Sequence, residues 1–145
     1  MRFELIIDKD KEECITAVVH SPGKLTDAIE QLVLQYTGED TLAAFTEDSW
    51  ARISLEDIEC IVVEDGKTFA VTAQGKYRLR QRLYVLEQQL PQNFMRINKS
   101  TLANKKKIVR FSAAFHGAVN VVFQSGFTEY VSRRCFAEIK RRYLK

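Results

Sequence analysis

The feature that most constrains the fold is a series of short, largely apolar segments between residues 41 and 79. Five segments follow one another, TLAAF, ARISL, IECIVVE, TFAVTA and KYRLR, and the turn-forming sequences EDS, EDG and AQG separate them. Segments of this length are typical of strands rather than helices. KIVRFSAAF, AVNVVFQ and TEYVS add three more near the C-terminus. The sequence therefore predicts a mainly β, α+β fold of small antiparallel sheets with two or three short helices.

The helical segments stand out by their period. From Leu25 to Tyr36, apolar residues recur at i, i+3, i+4, i+7, i+8 and i+11, and Gly38 marks the end. RQRLYVLEQQLP, which stops at Pro91, and the terminal RRCFAEIKRRYLK are the other candidates. Ahead of the first helix, RFELIID and CITAVVH flank the charged turn KDKEE and predict a β-hairpin. We expect residues 1–45 to form a ββα extension and residues 50–145 a separate domain.

The net charge of +3 hides a strong asymmetry. Residues 1–60 contain 14 acids and five bases, a net charge of −9, whereas residues 61–145 contain five acids and 17 bases, a net charge of +12. A basic body of this kind attracts polyanions, of which nucleic acid is the commonest in a cytoplasm. The alternative is a solvated basic surface that serves solubility.

The sequence offers little to support catalysis or a cofactor. His20 and His116 are the only histidines, and neither has Cys, Asp or Glu at metal-ligand spacing. His116 precedes Gly117 in a turn between apolar segments. No GxSxG, P-loop or GxGxxG motif occurs. We expect a protein that is not an enzyme and needs no metal, cofactor or small-molecule substrate.

The expected location is the cytoplasm. No apolar run approaches the ~20 residues that cross a bilayer, and the N-terminal residues turn acidic before a secretory signal develops. The three cysteines, Cys14, Cys60 and Cys135, lack paired spacing and suit a reducing compartment. We interpret all three as small core hydrophobes.

The stretch FMRINKSTLANKKKI, residues 94–108, carries five cationic side chains among Asn, Ser and Thr, and no acid. Cationic side chains neutralise phosphates, while hydroxyls and amides bond phosphate oxygens and base edges. VSRRCF repeats the mixture at Ser132, Arg133 and Arg134, and EDGKT adds Lys67 at a strand end. The alternative for the RINKST segment is a solvated loop in which Asn98 and Ser100 cap local turns.

These residues resemble those of the LytTR-type DNA-binding domains of bacterial transcription regulators, over about residues 50–145. The resemblance rests on a strand that opens with an Asp-Ile pair, a Leu-rich helix that closes on Leu-Pro, an F-x-R-I-x-x-S-x-x-x-N core and a terminal S-R-R that leads into a helix. In this chain they are Asp57-Ile58, Leu90-Pro91, Phe94, Arg96, Ile97, Ser100, Asn104, and Ser132-Arg133-Arg134.

The resemblance implies a fold whose loops enter successive major grooves of promoter direct repeats, one domain on each repeat. It places base contacts on Asn98, Lys99 and Arg133, and a further contact on the early strand-turn at Gly66 or Lys67. Many members have histidine where this chain has Asn98, which changes the expected target sequence but not the ability to bind. We assign contacts with the DNA backbone to Ser100, Lys105, Lys106, Lys107 and Arg134.

The resemblance also bears on partners. The ~45 residues ahead of the domain are too few for a phosphoacceptor receiver, so control by phosphorylation is not expected. Some similarly small members are restrained by a small membrane protein, and the extension is a candidate surface for that contact or for a homodimer. Two rival functions stay open: an RNA-binding domain that stacks bases on Phe115, Phe123 and Phe127, and a protein-interaction module without a nucleic-acid role.

Overall fold

The computed structural model describes residues 1–113 and 117–143, which form three helices and ten strands. The helices are α1 (Lys24–Thr37), α2 (Leu83–Gln89) and α3 (Arg133–Tyr143). The strands are β1 (Thr41–Phe45), β2 (Trp50–Ser54), β3 (Ile58–Glu64), β4 (Lys67–Thr72), β5 (Gly75–Leu79), β6 (Phe94–Asn98), β7 (Thr101–Asn104), β8 (Ile108–Ala113), β9 (Val119–Phe123) and β10 (Thr128–Val131). Short 3-10 turns, Leu55–Asp57 and Lys105–Lys107, precede β3 and β8.

The strands form two antiparallel sheets. Seven lie in the order β2-β1-β5-β4-β3-β7-β6, and three in the order β10-β9-β8. The predicted mainly β fold with small antiparallel sheets and three short helices is confirmed, and each of the five segments between residues 41 and 79 is a strand of the larger sheet. The turn predicted around His116 lies outside the described residues, as does Phe115.

Strand β3 is buried on both faces, which explains why IECIVVE reads as a nearly continuous apolar run. A register shift between Ile58 and Cys60 puts Ile58 and Ile61 in one core, with Leu83 and Leu86 of α2. Cys60 and Val62 join the other core, against β9 of the smaller sheet and Ile139 of α3. The larger sheet is therefore the middle layer, with α2 on one face and β8–β10 with α3 on the other.

The buried carboxylate of Glu59 helps to hold the two sheets together. It accepts hydrogen bonds from the backbone N–H of Ser125, at 2.8 Å, and from the Ser125 hydroxyl. Ser125 lies in the turn between β9 and β10. A buried charge is tolerated when donors satisfy it, so this pair fixes the β9–β10 turn against β3.

The N-terminal extension differs from its prediction. Helix α1 forms as expected and ends at Gly38, whose φ of +74° is the left-handed conformation that glycine adopts readily. No strand is assigned to residues 1–23, so the β-hairpin is not confirmed. An isolated two-stranded hairpin is only marginally stable, and no third strand lies against these residues. Strand β1 lies within residues 1–45, the predicted extension. It pairs with β2 and β5 and so forms part of the larger sheet.

The cysteines occupy three different environments. Cys60 is fully buried, as predicted, and burial together with the neighbouring Glu129 and Glu59 carboxylates raises the pKa of its thiol. Cys135 is half-buried and packs at the edge of the second core. The prediction was wrong for Cys14, which is exposed because the strand expected to bury it does not form.

Candidate nucleic-acid interface

The turns β3–β4 and β6–β7 lie side by side at one end of the larger sheet. Strand β3 pairs with β7, and the Val63 N–H donates to the Ser100 carbonyl at 2.9 Å, just where both strands reach their turns. Asp65 and Gly66 have φ values of 51° and 74°, as a tight type I′ hairpin requires. Lys67 follows with an exposed side chain, so each of the two turns places a cation at this end.

Arg96 fixes the β6–β7 turn, which consists of Lys99 and Ser100. The guanidinium of Arg96 donates to the Lys99 carbonyl at 2.7 Å and pairs with Glu87 of α2 at 2.9 Å. Arg96 is therefore engaged within the protein, although sequence reasoning counted it among the free cations of the basic stretch. The Lys99 side chain is exposed, while Ser100 is half-buried.

Asn98 is buried, with 1% of its surface exposed. Its Nδ2 donates to the Tyr130 carbonyl of β10 at 2.8 Å, and its Oδ1 accepts from the Ser100 N–H at 2.8 Å. Both ends of the amide are thus used inside the protein. Asn98 therefore lies beneath the turn and caps it at Ser100, as the alternative interpretation expected. Its bond to Tyr130 also attaches the turn to β10.

The start of α3 lies against the same turn. The Ser132 N–H donates to the Ile97 carbonyl at 2.8 Å, and the Ser132 hydroxyl caps the helix by accepting from the Cys135 N–H at 3.2 Å. Arg133 and Arg134 follow in the first turn of α3, and both are exposed. Cations are unfavourable at a helix N-terminus, where free N–H groups favour an anion. Two arginines there fit a phosphate or a base edge better than a structural role.

The structure thus brings Lys67, Lys99, Ser100, Arg133 and Arg134 to one end of the molecule, which we call the basic end. Three acids lie nearby: Glu64 pairs with Lys76 at 2.6 Å, Glu129 accepts from Thr101 at 3.3 Å, and Asp65 is exposed in the β3–β4 turn. Among the described residues, no acid forms an ion pair with a cation of the basic end. Its four cations outnumber Asp65 and Glu129, so the basic end keeps a net positive charge.

The other predicted backbone contacts lie elsewhere. Lys105, Lys106 and Lys107 form the 3-10 turn after β7, at the opposite end of that strand, roughly 13 Å from the Lys99 turn at the usual rise per residue. The side chain of Asn104 accepts from the Lys106 N–H at 3.1 Å and fixes this turn. Lys105 and Lys106 are exposed and Lys107 is half-buried, so the three lysines form a second basic surface.

The described residues contain neither a metal site nor a membrane-spanning helix. No three residues of the His, Cys, Asp and Glu types lie close enough together there to hold a metal ion. None of the helices in the same residues is both long and apolar enough to span a membrane.

The sequence matches the model of the LytTr DNA-binding domain family over residues 48–143. The chain belongs to the LytTR family. A structure search agrees: the LytTr DNA-binding domain of a protein described as a methyl-accepting/DNA response regulator from Bacillus cereus superposes with a TM-score of 0.66. The match covers 70% of this chain and 94% of that one at 18% identity, so it supports the fold alone.

Full-length relatives of this LytTR chain occur in Staphylococcus aureus. A protein of strain NCTC 8325 is 30% identical over 145 residues, covering 98% of this chain and 97% of its own length. One of strain MSSA476 is 31% identical over 146 residues with the same coverage. Both are named uncharacterized HTH-type transcriptional regulators. In this chain, however, strands separate each described helix from the next, so these elements contain no helix-turn-helix.

Proposed function

We propose that this LytTR protein is a sequence-specific transcription regulator that reads promoter direct repeats by inserting basic turns into the major groove. The observation that carries the proposal is the basic end, where three distant parts of the sequence bring together four cations that form no ion pair with any described acid. The LytTR family match supports DNA as the ligand, and the relatives' names support regulation. The family consists of DNA-binding domains rather than enzymes, so occupancy of the DNA is the function.

The residues divide into readers, phosphate contacts and supports. We propose that Lys67, Lys99 and Arg133 reach base edges, since each has an exposed cationic side chain at a tip of the basic end. Ser100 and Arg134 beside them are assigned to phosphates. Asn98 was predicted as a base contact, but its amide is satisfied by Tyr130 and Ser100. We therefore assign it a positioning role, in which it holds the Lys99 turn and the start of α3 in one arrangement.

The second basic surface gives a prediction of its own. If Lys106 binds a phosphate of DNA that curves past the basic end, Lys106→Ala should weaken binding equally on target and random duplexes. The slope of log affinity against log salt concentration should become shallower by about one unit, because one fewer counterion is released. Fluorescence anisotropy at several salt concentrations measures both quantities. Arg52→Ala in β2 is the control, and an unchanged slope for Lys106→Ala would remove this surface from the interface.

Single-stranded RNA is the alternative nucleic-acid ligand to duplex DNA. Phe123 is 1% exposed and Phe127 is half-buried, so neither forms an open platform on which a base would stack. We expect duplex DNA to bind at least about tenfold more tightly than single-stranded RNA of equal length at the same salt concentration. Titration of the two nucleic acids measures this ratio. Equal affinities would favour the RNA-binding alternative, and no retention on DNA or heparin would favour a protein-interaction module.

The proposal has consequences for assembly and location. Reading a pair of repeats requires two copies on one promoter, so a homodimer on DNA is expected. The site of action is the bacterial cytoplasm, where promoter DNA lies. Restraint by a small membrane protein, and the division into an extension of residues 1–45 and a domain of residues 50–145, stay predictions.

A further inference from the structure

The first 37 residues expose an unusual number of large apolar side chains. We call these ten residues the apolar set, and their exposed fractions run from 41% to 97%: Phe3, Leu5, Ile6, Ile7, Ile15, Val18, Val19, Leu25, Leu32 and Tyr36. At roughly 100 Å² for each partly exposed side chain, the set presents on the order of 1,000 Å² of apolar surface. The largest contiguous apolar patch on a typical monomer is about 300–600 Å². Residues 1–37 therefore expose more apolar surface in total than one such patch provides.

Helix α1 leaves part of its apolar stripe exposed. No residue of α1 is fully buried. Ile29 and Val33 of the stripe are half-buried, whereas Leu25, Leu32 and Tyr36 are exposed. An amphipathic helix is expected to bury its apolar stripe. The exposed part of the stripe therefore remains available to another molecule.

The residues ahead of α1 also lack backbone partners. Their two stretches, residues 2–7 and 14–20, are rich in β-branched and aromatic residues, yet neither pairs as a strand. Within residues 1–22, the described backbone-to-backbone hydrogen bonds are limited to the contact from the Lys11 N–H to the Asp8 carbonyl at 3.5 Å. Unpaired N–H and C=O groups beside exposed apolar side chains are the features by which an open edge recruits another strand.

We propose that a second copy of this chain covers the apolar set, so that residues 1–37 form the dimerisation surface. A second copy supplies the same two β-prone stretches. In a two-fold symmetric contact the same surface of each partner faces the other, so the contact is self-complementary. The exposed area suffices, because a standard stable interface buries about 800 Å² on each partner. Residues 1–37 contain seven acids and four bases, so DNA is a poor occupant. The S. aureus regulators align over nearly the whole chain, so their alignments include this segment.

The pairing builds on the proposed function, because it brings two DNA-binding domains to one promoter, but it is measured without DNA. Sedimentation velocity of the full chain should show a dimer at up to roughly 100 µM. Leu32→Glu should raise the dimer dissociation constant by about tenfold or more, because it buries a charge in the interface. The matched control is Tyr84→Glu in α2, since Tyr84 is 58% exposed and Leu32 is 59% exposed. The control should dimerise as the wild type does.

Phe3→Asp provides the second variant, because residue 3 lies in no helix or strand and its change cannot unfold the domain. It should also weaken the dimer. A wild-type chain that stays monomeric at these concentrations would overturn the inference. A dimer that both variants leave intact would overturn it as well, because the contact would then lie elsewhere.

A DNA measurement separates this inference from the proposed function. Leu32→Glu should bind a duplex with a single repeat as tightly as the wild type, and a duplex with two repeats about tenfold or more less tightly. Equal affinity of variant and wild type for the two-repeat duplex would contradict a dimer that acts on DNA. A chain that dimerises but ignores duplex DNA would defeat the proposed function and leave the dimer standing.

Discussion

Replacing Lys99 or Arg133 by alanine is expected to lower affinity for the target promoter by about 5- to 150-fold, or ~1–3 kcal/mol for each residue. Both side chains are exposed at the basic end. The backbone hydrogen bond from Ser132 to Ile97 holds the two segments that carry them side by side. Affinity for random duplex DNA should fall much less, because base contacts carry the discrimination and phosphate contacts do not. Binding of each variant to target and random duplexes, at one salt concentration, measures the effect.

The control for this pair is Arg52→Ala. Arg52 is an exposed cation on β2, at the opposite edge of the seven-stranded sheet from β6. Arg52→Ala should weaken binding to target and random duplexes equally, and by no more than the loss of one distant positive charge does. Equal losses on target and random DNA for Lys99→Ala and Arg133→Ala would mean that these residues contact phosphates. The assignment of base readers would then be wrong.

Asn98→Ala is expected to lower the free energy of unfolding by roughly 2–4 kcal/mol, because it leaves the Tyr130 carbonyl and the Ser100 N–H without a partner. It should also reduce target affinity by about tenfold or more even where the protein is fully folded, since the Lys99 turn loses its attachment to β10. Chemical denaturation gives the first quantity, and anisotropy well below the unfolding transition gives the second.

Asn104→Ala is a close match for this change. Asn104 is equally buried, at 2% exposure, and its side chain donates to the Ile58 carbonyl at 2.8 Å and accepts from the Lys106 N–H. It lies at the far end of β7 from the basic end. We expect a similar loss of stability and nearly unchanged discrimination between target and random DNA. If both variants lose discrimination equally, Asn98 acts through general stability rather than by positioning the turn.

The candidate site was predictable in its composition but not in its internal roles. Lys99 and Arg133 were predicted from short basic segments with hydroxyl or amide neighbours, and the structure places them together. Arg96 and Asn98 belong to the same segment and share its chemistry, yet the protein uses both internally. Arg96 pairs with Glu87, nine residues away, and Asn98 bonds Tyr130, 32 residues away. Local composition contains no information about partners so distant along the chain.

The N-terminal residues show the same limit for the fold. Alternation in RFELIID and CITAVVH predicts strands, but such a pattern forms a strand only if a neighbouring strand or surface is available. Helix α1 needs no such neighbour for its own hydrogen bonds, and it forms as predicted, up to Gly38. The two stretches ahead of it remain without strand pairing and leave Cys14 exposed.

The sequence by itself determined the helices, eight of the ten strands and the positive charge of the larger domain, because period, turn residues and charge are local properties. Only the tertiary structure decided that turns more than 30 residues apart meet at one end, while Lys105–Lys107 occupy the other. The physical reason is that strand order and register are set by cooperative packing of both cores around β3. That packing determines which polar groups are satisfied inside the protein and which remain free to meet DNA.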